Sequence, residues 1–399
     1  MPSALVTGAT GMLGAHIVDR LLSDGWSVRA MVRDPARAGW LRAQGASLHT
    51  ADLLDSVAFT AAARGCDVVF HAAAAITPGS GGWDAYRLPN VEGTRNAIRA
   101  AALSGARLLH VSSVAVYGPD ARYSGTHPVD TPSPQRTPVT PAKAGALAEH
   151  PSPRRTPGHP GESPSPRRKP GHPAEHPSPR RKPGHPGESR GTTEDTPLAP
   201  LHERLWYARS KRESEAMVLA AHDREELWST AIRPSVIYGE RDRQFVPRVA
   251  RLLRLGVLPL PESGRSTLAV VHAANVADAA ILAATCDIAG GRVYNVAGDF
   301  DVSVATFMKL GAQGMGRRLR IVPVPETLAR AGIAVARGTL RLAGAGGLAA
   351  MLDGTLDFVL RDNPFDSGRA RRELGWTPRV TPDVGVPDAF RWAAARRSG

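Results

Sequence analysis

The chain has little cysteine and no long apolar run among its 399 residues. Its two cysteines, Cys66 and Cys286, are far apart and form no C-x-x-C pair, which predicts neither a disulfide framework nor a zinc site. No uncharged apolar stretch approaches the ~18 to 20 residues that a membrane-spanning helix needs. Residues 1–25 have the pattern of a strand and a turn instead of a signal peptide. We therefore expect a cytoplasmic protein with no membrane span and no bound metal.

Aromatic residues are absent from residues 127–190, where 17 of the 34 prolines lie. A 13-residue unit is repeated there, beginning at Glu149, Glu162 and Glu175. Proline removes backbone donors and fixes φ, and no core can form without large apolar side chains. This segment is therefore predicted to be an extended, disordered insertion in a loop. With 11 Lys and Arg against 5 Asp and Glu, it supplies nearly half of the net charge of +13, so the basicity says little about the rest of the chain.

The composition of the insertion favours a solvated linker. Two functional interpretations are the alternatives. The sequence Ser-Pro-Arg-Arg occurs three times within residues 149–190 and could contact nucleic-acid phosphates as a salt-sensitive tether. The recurring His159, His172 and His185 could bind a metal weakly, but a disordered chain offers no preformed geometry. No stable nucleic-acid partner is expected.

A glycine-rich segment, TGATGMLG at residues 7–14, follows a short apolar run at residues 4–6. Hydrophobic residues at helical spacing come next, so the predicted order is strand, tight turn and helix. Gly8, Gly11 and Gly14 would allow a sharp turn, the approach of a pyrophosphate and close contact of helix with strand. The spacing is G-x-x-G-x-x-G and not the commoner G-x-G-x-x-G, so the segment alone is equally consistent with a plain tight turn.

A second strand, predicted over residues 27–32, ends at Arg33 and Asp34. An acidic residue at this position would normally accept hydrogen bonds from the adenosine ribose. Arg33 comes first here and could pair with a 2′-phosphate, which favours NADP over NAD; an exposed loop position is the alternative. Asp34 could instead cap a helix that begins near Pro35. Asp52, after a third predicted strand, could bind the adenine amino group or cap the next helix.

The pentapeptide YARSK at residues 207–211 places a tyrosine and a lysine four residues apart. On a helix, Tyr207 and Lys211 share one face, so the ammonium favours ionisation of the phenol. That makes Tyr207 a candidate acid or base near neutral pH. The spacing alone is typical of a solvated helix face. This pentapeptide follows both TGATGMLG and the segment SSVAVYG at residues 112–118. In that order, the three motifs together indicate a nicotinamide-dependent redox enzyme.

In these motifs and their order the chain resembles the extended short-chain dehydrogenase/reductase superfamily, often labelled NAD-dependent epimerase/dehydratase. Other matching segments are VFHAA at 69–73, NVEGT at 90–94, IRPSVIYG at 232–239, VVHAANVADA at 270–279 and ARRELGW at 370–376. The resemblance covers nearly the whole chain apart from the insertion. It implies an α/β fold: a Rossmann-type doubly wound parallel sheet with a smaller C-terminal substrate lobe.

The resemblance also implies a role for each matching residue. Tyr207 would exchange a proton with the substrate oxygen, and Ser113, a better match than Ser112, would hydrogen-bond that oxygen. Lys211 would hold the nicotinamide ribose and lower the tyrosine pKa. His71 and Ser210 match as well, but we expect them to support the site without taking part in the chemistry. The residues expected at the cofactor are Gly8, Thr10, Gly11, Met12, Leu13, Gly14, Arg33, Asp52, Leu53, Ala72, Ala73, Tyr207, Lys211, Arg233 and Pro234.

The expected domain boundaries follow from the same match. They are 1–126 and 191–240 for the NAD(P)-binding Rossmann domain, 127–190 for the insertion, and 241–399 for a mainly substrate-binding lobe with segments that return to the Rossmann domain. The apolar stretch at 331–352 is predicted to pack in a core; a mobile lid, or a helix on a partner or membrane surface, is the alternative. The arginines at 317–320 could bind an anionic group or form a solvated basic turn. A monomer or a homodimer is expected.

The reaction is narrowed by residues that are absent. A sugar dehydratase of this superfamily would carry an Asp-Glu pair after the catalytic serine, where Val114 and Ala115 stand, and a nucleotide-sugar 4-epimerase would show an acidic residue in place of Arg33. Residues 28–35 instead resemble the V-R-x-x-V-R-D-P of dihydroflavonol-reductase-like and hydroxysteroid-dehydrogenase-like members. We therefore predict hydride transfer between NADP, or NAD, and a carbonyl or secondary alcohol of a fairly apolar small-molecule substrate. The alternatives are nucleotide-sugar epimerisation and a non-catalytic NADP sensor or scaffold.

Overall fold

The computed structural model describes residues 1–76, 81–118, 191–342 and 362–395. They belong to one compact unit that comprises Met1–Thr126 and Ser189–Gly399. The disorder predicted for residues 127–190 concerns a segment outside the described residues. Of the stretch 331–352 that was predicted to pack in a core, residues 343–352 also lie outside them. The described part of that stretch is largely exposed, with Val335 at 67% and Leu342 at 91%, so the prediction of a core is wrong there.

A parallel sheet of seven strands forms the centre of the described chain. The described residues form these strands, seven of which belong to the central sheet: β1 (Ser3–Thr7), β2 (Ser27–Val32), β3 (Ser47–Thr50), β4 (Val68–His71), β5 (Arg107–Val111), β6 (Ser229–Pro234), β7 (Val236–Tyr238), β8 (Val257–Pro261), β9 (Val270–His272), β10 (Val293–Val296) and β11 (Arg320–Val324). The central sheet has the order β3-β2-β1-β4-β5-β6-β10, and every pairing in it is parallel. The chain direction across the sheet therefore reverses between β1 and β4, where doubly wound sheets open a crevice for ligands.

Helices cover both faces of this sheet, among them α1 and α8 on one face and α5 and α6 on the other. The helices of the described residues are α1 (Met12–Ser23), α2 (Gly39–Ala43), α3 (Ser56–Ala63), α4 (Asp84–Arg87), α5 (Gly93–Ser104), α6 (Trp206–Asp223), α7 (Phe245–Leu253), α8 (Ala273–Thr285), α9 (Val304–Gly314), α10 (Glu326–Leu342), α11 (Gly368–Leu374) and α12 (Pro382–Ala395). Short 3-10 turns lie at Pro35–Ala38, Val114–Tyr117, Glu262–Gly264 and Asp287–Ala289, and a π-helical turn lies at Leu88–Glu92.

The two faces of β1 show why its sequence is apolar throughout. Ala4 and Val6 lie in one buried cluster with Ile17 of α1, whereas Leu5 lies in another with Val218 of α6. A strand that is buried on both faces needs a continuous apolar run, because water reaches neither side. The run predicted at residues 4–6 is therefore a central strand of a sheet covered by helices.

The C-terminal lobe has a core of its own. Phe307 of α9 and Phe390 of α12 are fully buried, with ring centroids 6.0 Å apart, and Phe307 also packs edge-on against Tyr238 at 5.3 Å. Beside this core β8 pairs with β11, and β7 pairs with β9. Aromatic pairs of this geometry stabilise a small core beyond the burial of their area.

The predicted fold class, an α/β Rossmann-type sheet, is confirmed. The predicted strand at residues 27–32 is present. None of the helices in the described part of the chain is long and apolar enough to cross a membrane.

Candidate active site

The glycine loop joins β1 to α1 at the crevice between β1 and β4. Gly8 has φ of +67°, a left-handed conformation that side chains rarely adopt, and a Cβ there would lie 2.9 Å from the Cα of Ala73. A Cβ at Gly14 would overlap the carbonyl oxygen of Gly8. No side chain of the described residues caps the N-terminus of α1, whose N-cap is Gly11. Its first amide groups are therefore placed to bind an anion such as a pyrophosphate.

Arg33 lies directly after β2 and is exposed. Its side chain makes no hydrogen bond or ion pair with another described residue. Asp34 caps the following 3-10 helix by accepting a hydrogen bond from the amide of Ala36 at 3.0 Å, as predicted for it. The cation at the end of β2 is thus left available for an anionic ligand, while the neighbouring carboxylate has a structural role.

Asp52 lies at the carboxyl end of the next strand and is exposed. Its Oδ1 accepts a hydrogen bond from the amide of Leu54 at 2.9 Å, and the helix α3 is capped by Asp55. The alternative that Asp52 caps this helix is therefore wrong, because Asp55 is adjacent to its first residue. Leu53 is fixed nearby through its carbonyl oxygen, which accepts a hydrogen bond from the Asn96 side chain at 2.8 Å.

A chain of buried hydrogen bonds runs from β1 through His71. Thr7 accepts a hydrogen bond from the amide of Ala73, at 3.2 Å, and its Oγ1 lies 2.9 Å from Nδ1 of His71. On the other side, Nε2 of His71 lies 3.1 Å from Oγ1 of Thr94, which donates to the carbonyl of Asn90. Thr94 must then accept from Nε2–H, and Nδ1 must accept from Thr7. Burial lowers the pKa of His71 to about 3, which keeps the ring neutral and makes it a bridge between strands.

Asn90 connects the loop after β4 to α6, the helix that carries Tyr207. It lies in the π-helical turn, where its Oδ1 accepts from the amide of Ala75 at 2.7 Å. Its Nδ2 donates to the carbonyl of Ala75 and to Oγ of Ser210, both at 2.9 Å. Ser210 in turn donates to the carbonyl of Tyr207 at 2.9 Å. π-Helical turns occur often at functional sites. This turn holds Asn90, which links the loop after β4 to α6.

Tyr207 and Lys211 lie on the first two turns of α6, as their spacing predicts. Lys211 is buried, and its Nζ donates to the carbonyl of Val111 at 2.7 Å. Burial lowers its pKa to about 8, since desolvation disfavours the ammonium, while the nearby Glu215 opposes this shift. The lysine thereby ties α6 to the carboxyl end of β5.

Ser113 follows that end of β5 and begins a 3-10 turn. Its Oγ accepts a hydrogen bond from the amide of Ala115 at 3.2 Å, so its own proton remains for another acceptor. Ser112 is buried, and its hydroxyl has no hydrogen-bond partner in the part of the chain that the structure describes. Of the two serines, Ser113 is the less buried, in keeping with its predicted contact with substrate.

Arg233, at the end of β6, is held by a buried carboxylate. It donates to both oxygens of Glu215, at 2.9 and 2.6 Å, and to the hydroxyl of Tyr117 at 2.8 Å. Tyr117 donates to Asn295 at 2.7 Å. These contacts fix the turn after Ser113 against the sheet. A contact of Arg233 or Pro234 with cofactor stays a prediction.

Two family profiles match the chain at these elements. The NAD dependent epimerase/dehydratase family matches residues 4–144, and the 3-beta hydroxysteroid dehydrogenase/isomerase family matches residues 187–299. The chain belongs to the extended short-chain dehydrogenase/reductase superfamily. The first match contains the glycine loop and Ser113, and the second contains Tyr207 and Lys211.

Curated relatives of this short-chain dehydrogenase/reductase match it over nearly its full length. It is 26% identical over 395 residues to 4-hydroxy-2-methyl-3-oxo-4-farnesyl-3,4-dihydroquinoline-1-oxide ketoreductase of Stigmatella aurantiaca, covering 99% of this chain and 97% of that protein. It is 28% identical over 398 residues to 2-alkyl-3-oxoalkanoate reductase of Shewanella oneidensis, covering 96% and 84%. The predictions of the family, of an enzyme and of an NAD(P)-dependent oxidoreductase are confirmed.

Solved structures share the fold at lower identity. UDP-glucuronic acid 4-epimerase from Bacillus cereus, in complex with NAD, superposes with a TM-score of 0.62 at 16% identity over 99% of both chains. dTDP-glucose 4,6-dehydratase from Bacillus anthracis, in complex with NAD, gives a TM-score of 0.60 at 15% identity over 100% of this chain and 98% of that one. At these identities the likeness concerns the fold alone.

Two linking residues carried no separate prediction of their own. Asn90 was noted only as part of the matching segment at residues 90–94, and its bonds join Ala75 to Ser210. Glu215 was not singled out, although it lies four residues after Lys211 on the same helix. That spacing was the signal available in the sequence, but it does not reveal that Arg233 is the partner.

Proposed function

We propose that this oxidoreductase is an NADP-dependent ketoreductase that reduces the oxo group of an apolar, alkyl-substituted substrate. The observation that carries the proposal is the bond of Lys211 to the carbonyl of Val111, two residues before Ser113. This bond holds the helix with Tyr207 against the strand end that leads to Ser113. The three proposed catalytic residues therefore belong to one connected framework.

Tyr207 is the proposed proton donor to the substrate oxygen. Since the pKa of Lys211 is about 8, the lysine is mostly an ammonium at neutral pH. A nearby positive charge stabilises the phenolate that remains once the proton has moved. Ser113 donates its free proton to the same substrate oxygen, which stabilises the charge that develops there.

The described residues fit a dinucleotide. Gly8 and Gly14 leave no room for side chains where the backbone must come close, and the first turn of α1 presents uncapped amides to the pyrophosphate. When bound, the cofactor supplies the hydride for the substrate carbon. Arg33, exposed at the end of β2, supports a 2′-phosphate and hence NADP, because a guanidinium pairs with phosphate through two hydrogen bonds.

The substrate class is proposed from the relatives together with two apolar residues. The two full-length relatives are named as reductases of compounds that carry a 3-oxo group and an alkyl or farnesyl substituent. Val114 and Ala115 are buried directly after Ser113, where acid and base groups for the elimination of water would be needed. These observations support reduction of a ketone and not dehydration.

The proposal also covers the roles of the two parts of the chain, its location and its oligomeric state. Residues 241–399 would supply most of the substrate-binding lobe, consistent with the separate aromatic core around Phe307. Residues 1–126 and 191–240 would bind the cofactor. The cytoplasm is the proposed location, and a monomer or homodimer is the proposed state.

The proposal is tested by a substrate panel. Purified enzyme with NADPH or NADH is offered 2-alkyl-3-oxoalkanoates and steroid ketones and, in parallel, UDP-glucose and UDP-glucuronic acid. We expect net oxidation of NADPH with the ketones. Conversion of a UDP-sugar to its epimer without net change in the cofactor would establish epimerisation instead.

A further inference from the structure

One edge of the C-terminal lobe is rich in basic residues. The acidic residues next to its segments lie at the other ends of the same elements: Glu262 after β8, Asp301 before α9 and Glu326 after β11. Residues 245–261 and 302–325 together contain seven Lys and Arg but no Asp or Glu. All seven are exposed. Six of them lie at the C-terminal end of α7, on α9 and in the turn after it, and at the start of β11. We call this set the cationic edge: Arg251, Arg254, Lys309, Arg317, Arg318 and Arg320.

Hydrogen bonds connect the elements that carry the cationic edge. Arg317 donates from Nη1 to the carbonyl of Arg254 at 3.4 Å, which joins the turn after α9 to the end of α7. The amide of Arg320 donates to the carbonyl of Gly256 at 2.9 Å, at the start of the pairing between β11 and β8. Lys309, Arg317 and Arg318 line one open depression on this surface, together with Gln313, Gly316 and Leu319.

No residue of the cationic edge forms an ion pair with another described residue. Arginines elsewhere do: Arg379 pairs with Asp278 at 2.8 Å, and Arg233 pairs with Glu215. The nearest helix, α12, contributes Asp388, which pairs with Arg391. The negative ends of α7 and α9 account for a cation at each helix terminus, but not for six on one surface. Like charges repel one another, so their accumulation without acidic neighbours indicates an anionic partner.

Aliphatic side chains are exposed among these cations. Leu252, Leu255 and Val257 are 41%, 72% and 47% exposed, and they alternate along the chain with Arg251 and Arg254. The aromatic residues of the same helices, Phe245 and Trp392, are instead partly buried against the lobe core. Single-stranded nucleic acid is bound by exposed aromatic residues on which bases stack. Exposed leucines beside arginines fit a lipid surface, where the leucines enter the acyl boundary and the arginines meet anionic headgroups.

We propose that the cationic edge binds the surface of an anionic lipid bilayer without crossing it. This surface includes none of the proposed catalytic residues, so the proposal stands independently of the reaction. Docking there would place the enzyme where apolar substrates accumulate. The six cations would attract the protein to the anionic headgroups. The three aliphatic side chains would then enter the acyl boundary and slow its release.

Full-length enzyme is mixed with vesicles of phosphatidylcholine alone or with added phosphatidylglycerol, and bound protein is measured by sedimentation. We expect binding only to the anionic vesicles and release as ionic strength rises from about 0.1 M to 1 M, because the Debye length falls from ~10 Å to ~3 Å. A basic residue near such a surface contributes roughly fivefold. Arg317→Glu with Arg318→Glu should therefore lower the partition coefficient at least about 25-fold.

One further variant tests the aliphatic side chains, and two control variants test whether the effect is specific to the cationic edge. Leu255→Ser should weaken binding to the vesicles while leaving its salt dependence unchanged. A charge-matched pair on the Rossmann half, Arg64→Glu with Arg99→Glu, and a pair in the insertion, Arg154→Glu with Arg155→Glu, should bind like wild type. Loss of binding in the insertion pair alone, or equal binding in all variants, would overturn the proposal. So would retention on duplex DNA that requires Arg317 and Arg318 without any binding to vesicles.

Discussion

The carboxyl edge of the central sheet and the cationic edge of the lobe use polar residues in opposite ways. At the sheet, Thr7, His71 and Asn90 are buried, and each is hydrogen-bonded within the chain. On the lobe, the six cations are exposed and form no ion pair with a described residue. Buried polar groups must be satisfied internally because water cannot reach them, whereas exposed charges stay solvated and available. The first region fixes a geometry, and the second offers a surface.

The same contrast extends to stability. The site residues are held by hydrogen bonds between elements, such as that of Lys211 to Val111. The lobe is held by the burial of Phe307 and Phe390. Substitutions at the sheet edge should therefore change activity more than stability, and substitutions in the lobe core should do the reverse.

The largest expected effect comes from Tyr207→Phe. Removing the proposed proton donor should lower kcat by about 100-fold to 10,000-fold, the range for loss of general acid–base catalysis. The dissociation constant of the cofactor and the melting temperature should stay close to wild type, because the proposed role of the hydroxyl is at the substrate and not at the cofactor. Steady-state kinetics and cofactor fluorescence give both readouts. A variant that keeps more than a tenth of wild-type kcat would remove Tyr207 from the mechanism.

Phe307→Ala tests the other side of the comparison. The ring is fully buried and contacts Tyr238, Phe245 and Phe390 at centroid distances of 5.3, 5.9 and 6.0 Å. Its loss should lower the unfolding free energy by about 3 to 5 kcal/mol, the range for large-to-small changes in a core. Denaturant titration measures this.

The control for that measurement is Leu255→Ala at an exposed position of the same lobe. It should change the unfolding free energy by less than about 0.5 kcal/mol. If both variants unfold at the same denaturant concentration, the aromatic cluster is not what holds the lobe together.

Arg33→Ala should weaken NADP binding about tenfold to a hundredfold, because a hydrogen bond to a charged group contributes roughly 1.5 to 3 kcal/mol. NAD binding should change little, since NAD has no 2′-phosphate. Titration calorimetry with both cofactors provides the comparison, and Arg42→Ala, exposed on α2, serves as the matched control. An equal loss of affinity for both cofactors would show that Arg33 does not select between them.

The last comparison concerns the pH dependence of stability. Burial lowers the folded-state pKa of Lys211 from 10.5 to about 8, so between these two values the unfolded chain binds the extra proton. Stability contributed by this group therefore rises with pH across that window and is constant below it. Between pH 8 and 10.5, the unfolding free energy of wild type should rise relative to that of Lys211→Met. A difference that is flat across this range would place the lysine in contact with water.

Much of the fold and part of the site were predicted from local sequence. The apolar run at residues 4–6, the three glycines and the Tyr-Lys spacing each specify an element and its neighbour, because strand, turn and helix patterns are local. Asp34 was predicted as a cap, and it is one. For Asp52 the sequence left two roles open, adenine binding or helix capping. The capping role is filled by Asp55, three residues later, which is the N-cap of α3.

The sequence by itself determined the strand–turn–helix order, the turn that only Gly8 permits and the helix that carries Tyr207 and Lys211. Only the tertiary structure decided that Lys211 bonds to Val111, that Arg233 bonds to Glu215 and that Asn90 joins Ala75 to Ser210. It also brought the basic ends of α7 and α9 to one edge. Local patterns set backbone conformation through sterics and burial. The partner of a buried polar group is set by which elements the sheet order places side by side, and no spacing along the chain encodes that order.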